Sequence, residues 1–140
     1  MTVFRLFVPG IPIPQGSKTA SRTGTKIILR EANKRLPQWR KDLAAAIHLH
    51  RMETDTRPIT SAAVVQYEFL MPRPKTVTRK YMTVKPDLDK LARAINDAAT
   101  DAQLLADDAL IVSLNVNKRY AVPELDEQPG VRISVWAVTE

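Results

Sequence analysis

The sequence contains no cysteine. Disulfide bonds, cysteine-ligated zinc and thiol catalysis are therefore excluded. No apolar run approaches the roughly 18 residues of a membrane-spanning helix, and the first residues lack the apolar core of a signal peptide. We therefore expect a cytoplasmic protein that does not associate with a membrane.

Several sequence patterns of common enzyme classes are also missing. Aromatic residues make up only 6% of the chain and are scattered, so a stacking platform for single-stranded bases is not predicted. The segment from Gln15 to Lys18 lacks the G-x-x-x-x-G-K-[ST] spacing, which argues against a nucleotide cofactor. His48 and His50 are two residues apart on a predicted helix and so do not share a face, as an H-E-x-x-H zinc motif requires.

The charge that is present is mostly positive and unevenly distributed. The formal net charge is +6, and residues 1–50 hold nine Lys or Arg against two Asp or Glu. Residues 51–100 hold nine against six, whereas residues 101–140 hold three against seven. Such a bias indicates an anionic partner, with nucleic acid ahead of an acidic membrane surface.

The length of 140 residues suits one domain, which we assign to residues 1–140. Alternating and β-branched patterns predict strands over residues 2–8, 25–29, 62–71, 110–122 and 131–138. Helical periodicity predicts helices over residues 36–52 and 88–103. Prolines and glycines predict connections over residues 9–25, 72–86 and 123–130. The expected fold class is α+β, with a mixed, mostly antiparallel sheet flanked by two main helices.

Acidic residues cluster at the second predicted helix, where Asp87 and Asp89 lie at its start and Asp107-Asp108 follows the next loop. Carboxylates repel one another, and a bound cation commonly explains such clustering. If Asp87 is extended and Asp89 lies in the first turn, both can converge on a point beyond the helix start. Asp107-Asp108 could return a further ligand to the same place.

The same residues also have ordinary structural explanations. One aspartate at the start of a helix caps its free N–H groups. Asp97 is placed to pair with Arg93, four residues earlier on the helix. Adjacent aspartates before a strand commonly form turns. From spacing alone, the metal-site and structural interpretations both stay open.

Two basic segments are candidates for contact with phosphates. The first predicted connection can be either a flexible link or a phosphate-binding loop. The second carries five cations on its own. The residues concerned are Lys18, Arg22 and Lys26 in and after the first segment, and Arg73, Lys75, Arg79, Lys80 and Lys85 in the second.

The acidic pattern resembles the RusA family of Holliday-junction resolvases. The resemblance rests on the run K-P-D-L-D-K-L-A-R-A-I-N-D-A at residues 85–98 and on D-D-A at residues 107–109. Residues 8–18 are similar to the N-terminal loop of the family, and residues 117–120 and 129–133 to its closing strands. Several spacings agree together, and the resemblance covers nearly the whole chain.

This resemblance implies a homodimer from bacteria or their prophages or phages, which cuts four-way DNA junctions with Mg²⁺, or with Mn²⁺ in its place. It implies products with 5′-phosphate and 3′-hydroxyl ends and a role in recombination and repair. The implied catalytic residues are Asp87, Asp89 and Asp108, with Lys90 or Arg93 as the cation. The implied metal ligands are these three aspartates together with Asp107. Lys118 and Arg119 are implied to contact DNA as well. The family pattern has Lys where this chain has Arg93.

Two other functions remain as alternatives to a junction resolvase. One is a less selective Mg²⁺-dependent nuclease acting on flaps or other branched DNA. The other is a basic DNA-binding protein without catalytic activity, in which the acidic residues only cap a helix and form a turn.

Overall fold

A computed structural model describes residues 3–16, 18–24, 26–31 and 33–139. Within these ranges the chain forms six strands, two α-helices and two short 3₁₀ turns, at Asp108–Leu110 and Pro123–Leu125. In chain order the main elements are β1 (Val3–Pro9), β2 (Lys18–Thr23), β3 (Lys26–Glu31), α1 (Leu36–Glu53), β4 (Ala62–Met71), α2 (Leu88–Asp101), β5 (Ile111–Tyr120) and β6 (Gly130–Val138).

Four of the strands form one mixed sheet in the order β1-β6-β4-β5. The pairs β1–β6 and β4–β6 are antiparallel, whereas β4 and β5 are parallel and are connected through α2. Strands β2 and β3 form a separate antiparallel pair. The expected α+β class, with a mostly antiparallel sheet and two main helices, is confirmed.

The hydrophobic core follows from the period of each element. Along β4, Val65, Tyr67 and Phe69 are fully buried while the intervening Gln66 is exposed, as expected for a strand with one covered face. The fully buried side chains of the helices join the same core. These are Leu43 and Ile47 of α1, and Leu91, Ala94, Ile95 and Ala98 of α2. Neither helix in the described ranges is long and apolar enough to span a membrane.

Most predicted elements agree with the structure, and the differences are local. Lys18–Thr23 is a strand where a connection was predicted, since its polar residues show no apolar alternation but pair with β3. Strand β5 begins at Ile111 rather than at residue 110, because Asp108–Leu110 forms a 3₁₀ turn. Helix α2 ends two residues earlier than predicted, at Asp101. The predicted first residues of two strands, Thr2 and Thr25, lie outside the described residues.

Candidate active site

Asp87 lies at the N-cap position of α2, but its carboxylate does not cap the helix. Its backbone is extended (φ −68°, ψ 139°), as an N-cap residue should be, yet its side chain accepts no capping hydrogen bond. The side chain is half exposed, and Oδ2 lies 3.7 Å from Nζ of Lys90. Capping therefore does not explain Asp87, and its carboxylate is open to another partner.

Asp89 lies in the first turn of α2, where the helix dipole favours a negative charge. Its side chain is exposed. Within the described part of the chain it takes part in no hydrogen bond or ion pair. We name Asp87 and Asp89 together the first acidic group.

Lys118 fixes the chain directly before this group. Its Nζ atom donates hydrogen bonds to the backbone carbonyl oxygens of Val84 and Pro86, each at 2.7 Å. Strand β5, on which Lys118 lies, is parallel to β4, and Lys118 pairs with Phe69. The ammonium predicted to contact DNA thus anchors the approach to Asp87, and its contact with DNA stays a prediction.

Asp97, in the third turn of α2, accepts a hydrogen bond from the side-chain amide of Gln15. The predicted ion pair of Asp97 with Arg93 is wrong: the two side chains form none, and Arg93 is exposed. Gln15 also donates its backbone N–H to the carbonyl of Lys90 at 3.0 Å. Sequence reasoning missed Gln15, which is 82 positions from Asp97 and has no local pattern that marks it.

The segment that carries Gln15 is directed towards α2 by Gly10. The φ angle of Gly10 is +132°, which disfavours residues with a side chain. A Cβ atom there would lie 2.9 Å from the ring of Trp39, and the Gly10 amide donates to the carbonyl of Pro129 at 3.0 Å. A larger residue in place of Gly10 would therefore displace the segment whose Gln15 side chain bonds Asp97.

Asp107 and Asp108 lie next to each other at the start of the 3₁₀ turn, where Asp107 is the N-cap residue. The Asp107 carboxylate accepts from the Ala109 amide at 2.9 Å, and this bond and the one from Asp108 lower the pKa of Asp107. The hydrogen bond with Asp107, followed by desolvation and the charges of Asp107 and Asp97, raises the pKa of Asp108. Asp97 is thus close enough to act on Asp108, and we name Asp97, Asp107 and Asp108 the second acidic group.

The two acidic groups lie towards opposite ends of α2. Asp108 precedes Ile111, which pairs with Ala63 near the start of β4, whereas Lys118, beside Asp87, pairs with Phe69. Asp97, whose charge acts on Asp108, lies in the third turn of α2, whereas Asp89 lies in its first turn. Among the described residues no three His, Cys, Asp or Glu side chains are close enough to hold one metal ion. The assignment of Asp87, Asp89, Asp107 and Asp108 as ligands stays a prediction.

The donor atoms in both groups nevertheless suit a hard divalent cation. They are all carboxylate oxygens, which Mg²⁺ prefers, and Mg²⁺ takes only one or two protein carboxylates while keeping several waters. In the second group the hydrogen bond with Asp107 and desolvation raise the pKa of Asp108 most, and the charges of Asp107 and Asp97 raise it further. A bound cation would offset these charges. The residues present therefore fit the metal that the family pattern implies.

Apart from Lys118, described above, the predicted DNA-contacting cations fall into three sets. Arg73, Arg79 and Arg119 make contacts within the chain: the first two lie over the ring of Tyr120, and Arg119 forms two hydrogen bonds with Glu127. Lys75, Lys80 and Lys85 are exposed in the connection that precedes α2. The side chains of Lys18, Arg22 and Lys26 lie outside the described residues, although their backbones belong to β2 and β3.

A basic α+β protein with exposed carboxylates at the start of a helix has features of an enzyme that acts on nucleic acid. The sequence model of the family described as Endodeoxyribonuclease RusA matches residues 9–135 of the 140-residue chain. The chain therefore belongs to the RusA family of endodeoxyribonucleases, which resolve Holliday junctions. No curated protein matches the chain.

Proposed function

We propose that this protein is a Mg²⁺-dependent endonuclease that resolves four-way DNA junctions by paired symmetric nicks. The observation that carries the proposal is the Asp87 carboxylate, which stands at a helix N-cap without capping it, in a chain whose residues 9–135 match the family. A half-exposed carboxylate that does not cap its helix, two positions before a second exposed aspartate, is suited to a metal-assisted reaction.

The acidic and the basic site residues would have different roles in the reaction. Asp87 and Asp89 would hold Mg²⁺, or Mn²⁺ in its place, and Asp107 and Asp108 of the second acidic group are further proposed metal ligands. The bound ion supplies Lewis-acid polarisation of the phosphoryl oxygen and a nucleophilic water near neutral pH. Lys90, held near Asp87, or the exposed Arg93 would stabilise the charge that develops on the phosphate.

The rest of the molecule would supply recognition. Lys75, Lys80 and Lys85 precede Asp87 in the chain and are free to face the phosphates of a branched DNA. A homodimer with twofold symmetry would present two sites to a junction, so that paired nicks leave duplexes that can be ligated. This role belongs to recombination and repair.

The decisive experiment compares a four-way junction with a linear duplex of matched sequence, each incubated with Mg²⁺ and with EDTA. We expect cleavage of the junction in Mg²⁺ only, at symmetric positions. Binding of both DNAs without cleavage would instead identify a DNA-binding protein. Cleavage of both at equal rates would identify a nuclease without junction selectivity.

Substitution of single aspartates separates the two acidic groups. Asp89→Asn should bind the junction with wild-type affinity and cut it at least a hundredfold more slowly, because it loses one metal ligand but keeps its shape. Asp55→Asn is the matched control, since Asp55 is exposed in the turn after α1, away from both groups. Asp108→Asn shows whether the second group is needed too. Wild-type cleavage by Asp89→Asn would overturn the ligand assignment.

A further inference from the structure

The connection between β4 and α2, residues 72–86, is anchored along its length; we name it the β4–α2 loop. In its first half, Arg73 donates from Nε and Nη2 to the carbonyl of Val77, at 3.2 and 3.1 Å. The guanidinium groups of Arg73 and Arg79 lie 5.6 and 5.9 Å from the ring centroid of Tyr120, which is buried. Two cations over one fixed ring hold this half of the loop against the sheet.

The second half is anchored by two further contacts. Met82 packs against the hydrophobic core. Lys118 bonds the carbonyl oxygens of Val84 and Pro86. Because both halves of the loop contact the rest of the chain, the residues between these contacts are held in a fixed position.

Tyr81 lies between these contacts in the loop, and its side chain does not pack against the core. Its side chain is 70% exposed, although tyrosine usually buries most of its ring. The only neighbour described for its ring is Lys80, whose Nζ atom lies 5.5 Å from the ring centroid. An anchored loop that exposes an aromatic ring beside a cation indicates a contact with another molecule.

The residues that follow Tyr81 in the chain lie close to the proposed active site. These residues line an open cleft of about 870 Å³ together with Asp87 and Lys118. The cleft wall contains Lys85, and Arg79 and Lys80 precede Tyr81. A ligand in this cleft would contact Met82, the residue directly after Tyr81, and the positive charge of Lys85 and Lys118 favours a polyanion.

We propose that Tyr81 stacks on a nucleobase at the branch point of the DNA and thereby selects branched DNA over duplex. This inference rests on the proposed function. In an intact duplex both faces of every base are covered by its neighbours, so Tyr81 finds no free face. At a branch point stacking is interrupted, and an exposed base face can accept an aromatic ring, while the neighbouring lysines contact phosphates.

Stacking by Tyr81 was not predicted from the sequence. Aromatic residues are few and scattered in the sequence, which gave no reason to predict stacking. A single ring suffices for a junction, where only the bases at the crossover are open. Tyr81 is therefore a specificity-determining residue rather than part of the cleavage chemistry.

The test compares Tyr81→Ala and Tyr81→Phe with the wild type. Binding to a four-way junction and to a linear duplex is measured in EDTA, and cleavage is measured in Mg²⁺. Loss of the ring should weaken junction binding about tenfold or more and leave duplex binding within twofold. Tyr81→Phe should retain wild-type selectivity, because it keeps the stacking surface. Thermal unfolding of both variants should match the wild type, since Tyr81 is exposed.

A direct readout uses 2-aminopurine at the branch point. Its fluorescence should change on binding of the wild type and Tyr81→Phe but not of Tyr81→Ala. Equal binding to both DNAs by all three proteins, or an equal loss on both DNAs for Tyr81→Ala, would overturn the inference. A wild type that never cuts the junction would instead overturn the proposed function, while a difference in 2-aminopurine signal would still support stacking by Tyr81.

Discussion

Single side chains hold α2 on the sheet in the position that the active site needs. The Tyr67 hydroxyl, on β4, donates to Oδ1 of Asn96 at 2.7 Å, and Gln15 bonds Asp97 one position further along. Burial raises the pKa of Tyr67, so its hydroxyl keeps the proton that this hydrogen bond requires. These contacts link α2 to a strand and to the N-terminal segment, both distant in sequence.

Removing the Tyr67 hydroxyl tests the first of these contacts. We expect Tyr67→Phe to lower the free energy of unfolding by about 1–2 kcal/mol, because the bond is lost and Asn96 Oδ1 is left without a donor. Urea denaturation measures the change. Tyr81→Phe, which removes an exposed hydroxyl, is the matched control and should leave stability unchanged. Equal stabilities of the two variants would contradict the role of Tyr67.

At the scale of elements, a charged network joins β4, β5 and β6 to the turn between the last two. Glu127 accepts two hydrogen bonds from Arg119, at 2.7 and 2.6 Å, and one from the Val122 amide at 2.9 Å. Arg119 and Arg132 both also pair with Glu68. The bonds from Arg119, and then that from Val122, lower the pKa of Glu127 from 4.5 to about 2.

This lowered pKa predicts how stability depends on pH. Folding favours the ionised form of Glu127, so its contribution is fully present above about pH 4.5 and is lost as the pH falls towards 2. Glu127→Gln should therefore lower the melting temperature most at pH 7, and the difference from wild type should shrink as the pH approaches 2. Glu53→Gln, at an exposed position, should differ little at any pH. A constant difference for Glu127→Gln would contradict the assigned charge pairing.

The β4–α2 loop depends on β5 through Lys118. Lys118→Met keeps the length of the side chain but loses the donor to Val84 and Pro86. We expect about 1–3 kcal/mol of lost stability, since both bonds come from a charged group. Hydrogen exchange of the Thr83 amide, which bonds the Tyr81 carbonyl, should be faster. Lys75→Met, at an exposed position of the same loop, should change neither quantity.

At the scale of the whole molecule, the chain has a formal net charge of +6. This charge predicts that affinity for DNA falls steeply with salt, because bound phosphates release counterions. If Lys75 contacts a phosphate, Lys75→Ala should reduce the slope of log K against log salt by about 0.9. Lys41→Ala, on the exposed face of α1, is the control and should keep the slope. An unchanged slope for Lys75→Ala would remove Lys75 from the interface.

Local patterns in the sequence predicted most of the fold. The bounds of β4 agree with the structure, and α1 and α2 agree within two residues, because hydrophobic periodicity and prolines mark them locally. Strand β2 could not be predicted in this way, since its sequence is polar and its structure depends on pairing with β3.

The candidate site was predicted in part, for a related reason. Sequence patterns placed Asp87 and Asp89 at the start of α2, which the structure confirms. The separation of the two acidic groups depends on the register in which β5 pairs with β4, and the bond from Gln15 to Asp97 depends on the route of a distant segment. Neither feature can be predicted from the residues that are adjacent to it in sequence.

The position of β6 between β1 and β4 has a consequence for the synthesis of the chain. Strand β1 is the first to leave the ribosome, and its sheet neighbour β6 is the last. Until residues 130–138 have emerged, β1 has no neighbour in the four-stranded sheet and β4 lacks one of its two. We therefore expect β1 to stay without its sheet partner until residues 130–138 have been synthesised, and the four-stranded sheet to close only then.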